Sequence, residues 1–440
     1  MSNPGLVYRK YRPGDEEGIV SLLNSSFETF CEYGISKESW LEYGKIDNGF
    51  QPENALVAEY EGKIVGHVQM IHRRVKIGNS KYVDIGGVAN VSTIPEMRRR
   101  GIGTTLVMNA IEHCMKEGLP LSGLFTSYGS VAHRMYKRVG YEDTLLYNVL
   151  IGTVEEMKRV KDSCGKARGI IIRHYEEGDE EKLLKIYSEW SSPYTGIVER
   201  SLEYWRRRLV ERSALHTFFY GSFDPEEVFV ATENGEVTGY AYVTICKRKK
   251  VPLRPPEVAL VRELVFKPGC LKSLINLVDA IMDFFISEDV KLCEVAAPLD
   301  ETYLTIFKYF KQMPQVVFMT HIPLIYKLFE ELKNELENRL STIPIIEEGT
   351  VIEFETPYGN IKFSIYGGEI NLYPEEEPTV KIFFDSNSFT KIIFGIKTIS
   401  DLITEDMVRI HTTQYIGRII SMLQVLFPKK VWFMSPIDHW

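Results

Sequence analysis

Three arginines followed by two glycines are the residues whose types and spacing point most directly to ligand binding. The stretch Arg98–Gly103 follows an apolar strand pattern and precedes apolar residues at helical spacing, which places Gly101 and Gly103 at a helix N-terminus. Unpaired backbone N–H groups and the helix dipole attract an anion there, and glycines leave room for a pyrophosphate. Arg98, Arg99 or both can then bind the anion bidentately. A solvated loop entering a helix gives the same R-x-x-G-x-G pattern, so the surrounding sequence must decide.

Tyr136 is the second candidate for chemistry. It lies in a predicted helix that follows the apolar strand Leu119–Thr126 and closes with Gly140-Tyr141. A phenol with a pKa of about 10 is protonated at neutral pH and can donate a proton to a leaving thiolate. The alternative is a helix tyrosine that only packs against Tyr141.

Composition narrows the class of protein. A chain of 440 residues can form about three domains of ~150 residues. Its 44% hydrophobic and 25% charged residues are typical of globular proteins. The net charge of -8 argues against nucleic acid as a partner and favours cationic ligands such as polyamines or amino sugars. The basic runs Arg206–Arg208 and Lys247–Lys250 are expected to be solvated faces or turns.

Cysteine spacing and apolar windows indicate the compartment. The six cysteines are scattered, with no C-x-x-C pair and no histidine at metal-ligand spacing, so reduced thiols and no metal site are expected. The N-terminal Met1–Gly5 lacks the start of a secretory signal. The apolar window Ser273–Ile286 contains Asp279 and Asp283 and is too short to span ~30 Å of hydrocarbon. We therefore expect a cytoplasmic protein without a membrane span.

Two parts of the chain follow the same plan. Leu6–Tyr11 and Ile170–Tyr175 are predicted strands, each followed by a Gly-Asp-Glu turn and an acidic helix start. Hairpins centred on Gly62 and Gly235 come next in each part. We call these parts, residues 6–150 and 169–324, the first and second copy.

The copies differ at the anion loop. In the second copy the strand Val258–Phe266 also leads into a helix, but no arginine cluster lies between them, so its anion site is expected to be lost. A charged linker, Lys161–Arg168, joins the copies. From about Tyr326 an amphipathic helix and short alternating strands predict a third, α+β domain.

The order of features in the first copy resembles the GNAT fold of N-acetyltransferases, which binds acetyl-CoA. A strand, an R-x-x-G-x-G turn and helix, a second strand, and a helix ending in Y-x-x-x-G-Y all occur in that order. The resemblance implies that Arg98–Gly103 holds the CoA pyrophosphate. It also implies that Val91 and Thr93 pair their backbone with the pantetheine arm, and that Tyr136 is the general acid.

The whole chain resembles the Eis (enhanced intracellular survival) acetyltransferases. That family has two acetyltransferase-like domains, the second without a cofactor loop, and then a domain similar to sterol carrier proteins. The implied fold class is α+β, with two tandem GNAT-like mixed-sheet domains, the second degenerate, followed by a sterol-carrier-like domain. The expected domains are the catalytic one at 1–160, the degenerate one at 168–325 and the sterol-carrier-like one at 326–440.

A base is also required, because an alkylamine with a pKa of about 10 arrives protonated. Many GNAT enzymes use a glutamate on the strand before the loop, but Tyr82–Thr93 contains only Asp84, and Glu96 lies in the turn. In the Eis family the C-terminal carboxylate, on an aromatic residue, is the base, which implies this role for Trp440. The alternative is a carboxylate left in water. An α-carboxyl group with a pKa of ~3.5 needs desolvation or a relaying water to act as a base.

The composition of the C-terminal tail supports docking. Leu426–Met434 is rich in apolar and aromatic residues, unlike a frayed end. Asp438 and His439 are alternative bases near the terminus, and His439 is expected at the surface.

The acceptor side is less defined. Phe27, Glu28 and Trp40 lie in the helix and loop that cover the acceptor cleft in GNAT proteins, although core packing explains the aromatic residues equally well. The resemblance implies acetylation of a primary amine, notably of an aminoglycoside, with acetyl-CoA as co-substrate. It also suggests a homo-oligomer such as a hexamer. A protein lysine acetyltransferase and a CoA-binding scaffold or sensor without catalysis are the alternatives.

Overall fold

The computed structural model describes residues 5–78, 81–249, 254–342 and 349–440, and the side chains of 218–220 and 249 are not included. Met1–Pro4, part of the N-terminal stretch discussed above, and Lys250, the last residue of the second basic run, lie outside these ranges. The strands are β1 (Leu6–Lys10), β2 (Phe50–Tyr60), β3 (Lys63–Lys76), β4 (Tyr82–Thr93), β5 (Leu121–Thr126), β6 (Glu142–Thr153), β7 (Ile170–His174), β8 (Tyr194–Thr195), β9 (Val228–Glu233), β10 (Glu236–Ile245), β11 (Val258–Phe266), β12 (Leu292–Val295), β13 (Lys311–His321), β14 (Thr350–Thr356), β15 (Gly359–Tyr366), β16 (Glu369–Asn371), β17 (Val380–Phe384), β18 (Val408–Thr412) and β19 (Val431–Trp432). The helices are α1 (Glu16–Ser26), α2 (Glu28–Tyr33), α3 (Lys37–Ile46), α4 (Ile102–Lys116), α5 (Val131–Arg138), α6 (Val154–Cys164), α7 (Glu180–Trp190), α8 (Leu202–Trp205), α9 (Ala214–Tyr220), α10 (Cys246–Lys249), α11 (Leu271–Ser287), α12 (Glu301–Ile306), α13 (Ile325–Leu340), α14 (Ser386–Ile393), α15 (Ile399–Thr404) and α16 (Ile416–Leu426). A π-helix, Arg206–Glu211, continues from α8.

Twelve strands form one mixed sheet in the order β1-β2-β3-β4-β5-β13-β6-β12-β11-β10-β9-β7. The first copy enters from one edge and the second copy from the other. At the centre the copies exchange their last strands, because β13 lies between β5 and β6, and β6 pairs with β12. In this sheet the pairs β4–β5 and β11–β12, one in each copy, are parallel. The two copies therefore share one continuous sheet.

Side-chain contacts confirm the predicted repeat. In the first copy Arg9 pairs with Asp15 at 2.6 Å, and the Tyr11 hydroxyl donates to the buried Glu16. The equivalent residues of the second copy are Arg173, Asp179, Tyr175 and Glu180. Because a buried carboxylate needs hydrogen-bonding partners, these pairs fix the first strand of each copy against its first helix.

The first copy covers its sheet on both faces. Alternation along the strands sends Val57, Ile71 and Ala89 to the face packed against α1–α3. Val88, the residue beside Ala89, packs instead with Leu106 of α4 on the other face. Where β4 and β5 separate, residues of β4 therefore belong to two different apolar clusters, one on each face of the sheet.

The third domain has a sheet of its own, in the order β16-β15-β14-β17-β18. Phe329 of α13 packs with Phe354 and Phe363 of this sheet. Asn387 Nδ2 donates to the Asp143 carbonyl oxygen at 3.1 Å, which joins the domain to the first copy. The predicted change of pattern near Tyr326 thus coincides with the start of α13.

The predicted apolar window and the predicted linker both fall on helices. The window Ser273–Ile286 lies within α11, and no helix in the described ranges is long and apolar enough to cross a membrane. Helix α6 runs to Cys164, so the linker predicted over Lys161–Arg168 begins inside a helix. All six cysteines fall in the described ranges and are free thiols.

Candidate active site

The parallel strands β4 and β5 separate before either ends. Their pairing is limited to Ile85–Gly87 with Leu121–Gly123, after which β4 follows β3 to Thr93 and β5 follows β13. A β-bulge in β4, where Asn90 has a φ of 54°, bends the strand away. Among the described residues no strand pairs with this side of β4 beyond Gly87. The backbone of Val91 and its neighbours therefore has an edge available to a ligand.

The loop Arg98–Gly103 has the local features of an anion site. Positive φ angles of 63° at Arg99 and 83° at Gly101 turn the chain into α4, and the three arginines are exposed. Helix α4 starts without a side-chain cap and without an acidic residue in its first turn. Its first N–H groups are thus left for an external acceptor. Arg98 also donates through Nε to the Thr93 carbonyl oxygen at 3.1 Å, which holds the loop against β4.

The protein itself does not require glycine at position 103. A Cβ built there would lie 3.4 Å from Met135 Sδ and 3.7 Å from Thr93 Oγ1, which are ordinary contacts. Glycine in a helix costs up to about 1 kcal/mol relative to alanine. A ligand that approaches the backbone closely accounts for this cost, so the residues present fit a bound pyrophosphate.

Tyr136 lies in the last turn of α5 and takes part in the hydrogen bonds that end this helix. The Tyr141 N–H donates to the Tyr136 carbonyl oxygen at 3.0 Å, and the Gly140 N–H donates to the Lys137 carbonyl oxygen at 3.2 Å. Gly140 has a positive φ of 92°. This is a Schellman motif, which explains the Y-x-x-x-G-Y spacing as a helix end whose two aromatic residues pack together. The Tyr136 side chain is buried, and burial raises the pKa of its phenol above the usual value. The phenol is therefore protonated at neutral pH.

Trp440 lies where β4 and β5 separate. Its indole Nε1 donates to the Gly123 carbonyl oxygen at 3.2 Å, and its ring lies against Gly87. A Cβ at Gly87 would come within 2.6 Å of the indole, so this glycine is needed for the ring to dock. The pair Gly86-Gly87 inside a strand is the sequence signal for such a close approach.

Tyr136 and Trp440 pack with apolar clusters on opposite faces of the sheet. Tyr136 belongs to the apolar cluster that contains Val88, on the α4 side. Trp440 packs against the cluster that contains Ala89, on the α1–α3 side. The two candidate residues therefore lie with different faces of β4, Tyr136 on the side of Val88 and Trp440 on the side of Ala89.

The tail that ends in Trp440 is docked along its length, as its composition predicted. Val431 and Trp432 pair with β8, and Phe433 N–H donates to the Thr195 carbonyl oxygen at 2.8 Å. Phe433 and Met434 are buried.

Arg208 holds the last residues of the tail. This fully buried side chain donates through Nε to the Ile437 carbonyl oxygen at 2.6 Å and through Nη2 to the His439 carbonyl oxygen at 2.8 Å. Its Nη1 pairs with Asp47 of the first copy, which also binds Arg73. The prediction that Arg206–Arg208 is a solvated run is wrong for Arg208, because the π-helix turns this residue into the interior.

The electrostatics of this cluster are those of a buried ion pair. Burial by itself would raise the pKa of Asp47, but the guanidinium groups of Arg73 and Arg208 outweigh it and lower that pKa below its usual value. Asp47 is therefore charged at neutral pH. It stabilises two arginines that would otherwise be uncompensated in the interior.

A second buried cluster fixes Asp438. Its carboxylate accepts from Arg200 Nη2 at 2.7 Å and from the Tyr204 hydroxyl at 2.9 Å, and Arg200 also pairs with Glu263. Asp438 is fully buried in this pair. It is thus a structural carboxylate of the tail, and we do not retain it as an alternative base.

His439 is not the surface residue that the sequence predicted. Its ring stacks on Phe125, with centroids 4.0 Å apart, and meets the edge of Tyr147. Burial lowers the pKa of His439 to about 4, so the imidazole is neutral at neutral pH. The non-local contacts of the tail, which the sequence does not show, cause the difference.

The acidic residues of the β4 region lie away from the cleft. Asp84 precedes the paired segment and forms an ion pair with Arg74 at 3.4 Å. Glu96 is exposed in the turn. Neither Asp84 nor Glu96 is therefore placed to act as the general base that many GNAT enzymes have on this strand.

A cavity of about 260 Å³ lies on the α1–α3 side of β4, next to Trp440. Five aromatic side chains line it: Phe30, Trp40, Tyr43, Phe50 and Trp440. Helix α9 of the second copy closes it with Leu215 and His216. The cavity is thus built from the first copy, the second copy and the tail, a combination that no local pattern in the sequence could reveal.

The predicted acceptor residues are only partly brought together. Trp40 lines the cavity. Phe27 lies behind it and packs edge-on against Phe30 at 5.5 Å. Glu28 is exposed and does not line the cavity.

The second copy has closed its equivalent cleft. Strands β11 and β12 pair from Val258 with Leu292 to Val261 with Val295, and β11 then continues without β12. The Tyr303 hydroxyl then donates to the Leu264 carbonyl oxygen at 2.6 Å, on the strand that would flank a ligand. Trp190 Nε1 in turn donates to the same hydroxyl at 2.8 Å. With no arginine loop and an occupied strand, this copy is not built to bind the same ligand.

Comparison with known proteins identifies the class of the first copy. Residues 7–144 match the family model of the GNAT acetyltransferase domain, and these residues form a GNAT acetyltransferase domain. GNAT acetyltransferases generally use acetyl-CoA. The mycothiol acetyltransferase of Streptomyces griseus is 26% identical over 140 residues, or 31% of this chain and 43% of that protein. An uncharacterised N-acetyltransferase of Methanocaldococcus jannaschii is 27% identical over 154 residues, or 34% of this chain and 66% of that protein. The match thus spans less than two thirds of either relative.

Solved structures extend the likeness to the whole chain. A GCN5-related N-acetyltransferase from Anabaena variabilis superposes with a TM-score of 0.71 at 14% identity, over 99% of this chain and 100% of that one. Eis1 from Mycobacterium abscessus gives a TM-score of 0.62 at 16% identity, over 99% and 100%. The predicted Eis-like fold class, two tandem GNAT-like units and a C-terminal α+β domain, is confirmed.

Replacing Arg208 with methionine should loosen the tail. The change keeps most of the side-chain volume but leaves Asp47 with Arg73 alone and frees two tail carbonyl groups. We expect the free energy of unfolding to fall by about 3 kcal/mol, at the low end for a broken buried ion pair. Urea denaturation measures this, and the rate at which carboxypeptidase releases Trp440 should rise.

Arg206→Met is the matched control, because Arg206 is exposed and its ion pair with Glu180 is long, at 4.0 Å. It should change stability by at most about 1 kcal/mol. Equal losses in the two variants, with unchanged release of Trp440, would show that Arg208 does not hold the tail.

Proposed function

We propose that the chain is an acetyl-CoA-dependent N-acetyltransferase that acetylates a primary amine in its first domain. The observation that carries the proposal is the presence of three features in the first domain, around one apolar cluster that contains Val88, Ile102 and Tyr136. These are the strand edge beyond Gly87, the uncapped arginine loop Arg98–Gly103, and the buried phenol of Tyr136. A scaffold without catalysis would need the first two features but has no use for a protonated phenol beside the cleft.

The proposed division of labour follows the three domains. The domain at 1–160 holds acetyl-CoA and carries out the reaction. The domain at 168–325 contributes α9 to the acceptor cavity and Arg208 to the tail. The domain at 326–440 brings the tail to the cleft.

Different residues bind different parts of the CoA molecule. The N–H groups at the start of α4, with Arg98 and Arg99, bind the pyrophosphate, and Gly101 and Gly103 allow its approach. The backbone of Val91 and Thr93 lies along the pantetheine arm, although the Thr93 carbonyl oxygen is already engaged by Arg98. Acetyl-CoA, when bound, supplies the acetyl group as a thioester.

The residues on the two faces handle the protons. The Trp440 carboxylate accepts a proton from the ammonium group of the acceptor, whose nitrogen lone pair then forms the new C–N bond. Tyr136 donates its proton to the sulfur as the C–S bond breaks, and its phenolate takes up the second proton that the nitrogen loses as the amide forms. The Trp440 carboxyl group then releases its proton to water, so that the products are the amide, the free thiol and one proton. The aromatic surroundings of Trp440 supply the desolvation that a terminal carboxylate needs to act as a base.

Gly103→Ala should separate ligand binding from folding. The new methyl group has room in the fold and favours the helix, so stability should stay constant or rise by up to about 1 kcal/mol. Because the methyl group occupies the path of the pyrophosphate, the Kd for acetyl-CoA measured by calorimetry should rise at least about tenfold, or ~1.4 kcal/mol. Gly349→Ala, with comparable room but in the third domain, should leave the Kd unchanged. Unaltered binding in Gly103→Ala would remove the anion site from the proposal.

Tyr136→Phe should lower kcat by about 10²- to 10⁴-fold, the range expected for the loss of a general acid. The Kd for acetyl-CoA should change little, because the ring and the Schellman hydrogen bonds of the backbone remain. Thiol release from acetyl-CoA gives the rate. Tyr128→Phe, at an exposed tyrosine nearby, should keep the wild-type rate. A fully active Tyr136→Phe variant would exclude the phenol as the acid.

Adding two glycines after Trp440 should test the base. The indole can stay on Gly87 and Gly123, but an amide replaces the terminal carboxylate. We expect unchanged stability and acetyl-CoA binding, a lower kcat at pH 7, and a rate that rises with pH as free amine becomes available. A wild-type rate at pH 7 would show that Trp440 only packs.

A further inference from the structure

The cavity beside Trp440 is apolar and aromatic on most of its surface. Besides the five aromatic side chains named above, it is lined by aliphatic residues of the α1–α3 face and of α9, including Leu23, Ile35, Ile71 and Leu215. These residues are buried in the fold. Such walls bind ligand mainly through removal of apolar surface from water, at about 25 cal/mol per Å².

The polar residues of the cavity carry no charge. The described lining residues include Asn90, His216 and His439 but no aspartate, glutamate, lysine or arginine side chain. Burial lowers the pKa of both histidines, so both are neutral at neutral pH. Trp440 is the one residue among these described lining residues whose proposed role brings an anionic group, its carboxylate.

One carboxylate can serve one ammonium group. It accepts the proton of the reacting amine, and an aromatic wall can stabilise that cation through its π-face before deprotonation. A second or third ammonium group on the same ligand would enter an apolar cavity without a counter-charge, which is strongly unfavourable. The walls therefore select against polycations, in contrast to what the net charge of the chain suggested.

The size of the cavity points the same way. Its volume of about 260 Å³ is smaller than the ~300–1,000 Å³ of sites for drug-sized ligands. A multi-ring amino sugar would extend beyond this volume, whereas a single aromatic ring with a short aminoalkyl arm fits within it.

We propose that the acceptor is a small monoamine whose primary amino group is carried on an aromatic or aliphatic body. This inference rests on the proposed function, since it names the acceptor of the same reaction. The apolar body lies among Phe30, Trp40 and Phe50, and the amino group points towards Trp440 and the gap between β4 and β5.

Two measurements test the two levels of the proposal separately. Calorimetry in the presence of CoA compares the Kd of 2-phenylethylamine with that of spermidine, and this comparison decides the acceptor class. Thiol release from acetyl-CoA with the same amines decides whether the chain is an acetyltransferase. We expect 2-phenylethylamine to bind at least about tenfold more tightly and to be acetylated with the higher kcat/KM.

Asn90→Asp sharpens the test, because it adds one carboxylate to the cavity at nearly constant volume, and aspartate tolerates the positive φ of this position. It should move the preference towards spermidine. Asn360→Asp adds the same charge at an exposed position of β15 and should leave the preference unchanged.

The outcomes are distinct. Tighter binding of spermidine by the unmodified chain would overturn the acceptor class, whether or not acetyl transfer occurs. Selective binding of 2-phenylethylamine without thiol release would support the cavity and refute the acetyltransferase.

Discussion

The buried guanidinium group of Arg208 is the interaction on which the candidate site depends. It lies on the second copy, pairs with Asp47 of the first copy and donates to two carbonyl groups of the tail. One side chain thus connects the first copy, the second copy and the tail. Because these charges are buried, removing one partner leaves the other uncompensated in the interior, which is strongly destabilising.

The second copy shows how a repeated domain can keep its fold while it changes its task. It has no arginine loop, and Tyr303 occupies the free edge of its β11 strand. Its helix α9 lines the cavity with Leu215 and His216, and its Arg208 forms hydrogen bonds with the tail. The exchange of β6 and β13 places these elements in one continuous sheet with the cleft that they serve.

Much of the local structure follows from the sequence, because it is decided by neighbouring residues. Strand alternation, helix periodicity and glycine turns predicted the elements around Arg98–Gly103 and the repeat itself, and the structure confirms them. The Y-x-x-x-G-Y spacing has a purely local cause as well, in the hydrogen bonds that end α5 at Gly140. The exposure of Arg98–Arg100, the turn at Gly101 and the strand before them can all be predicted from neighbouring residues alone.

What the sequence by itself determined is therefore the elements around Arg98–Gly103, the presence of the two copies and the turn that leads into α4. The tertiary structure alone decided which strands pair at the centre of the sheet, because the alternation of β6 and β13 is satisfied equally well by either neighbour. It also decided that Arg208 is buried while Arg206 is exposed, since a counter-charge 161 residues away in the chain makes burial possible. The cavity beside Trp440 belongs to the same class of feature, because its walls come from three distant segments whose composition gives no sign that they meet.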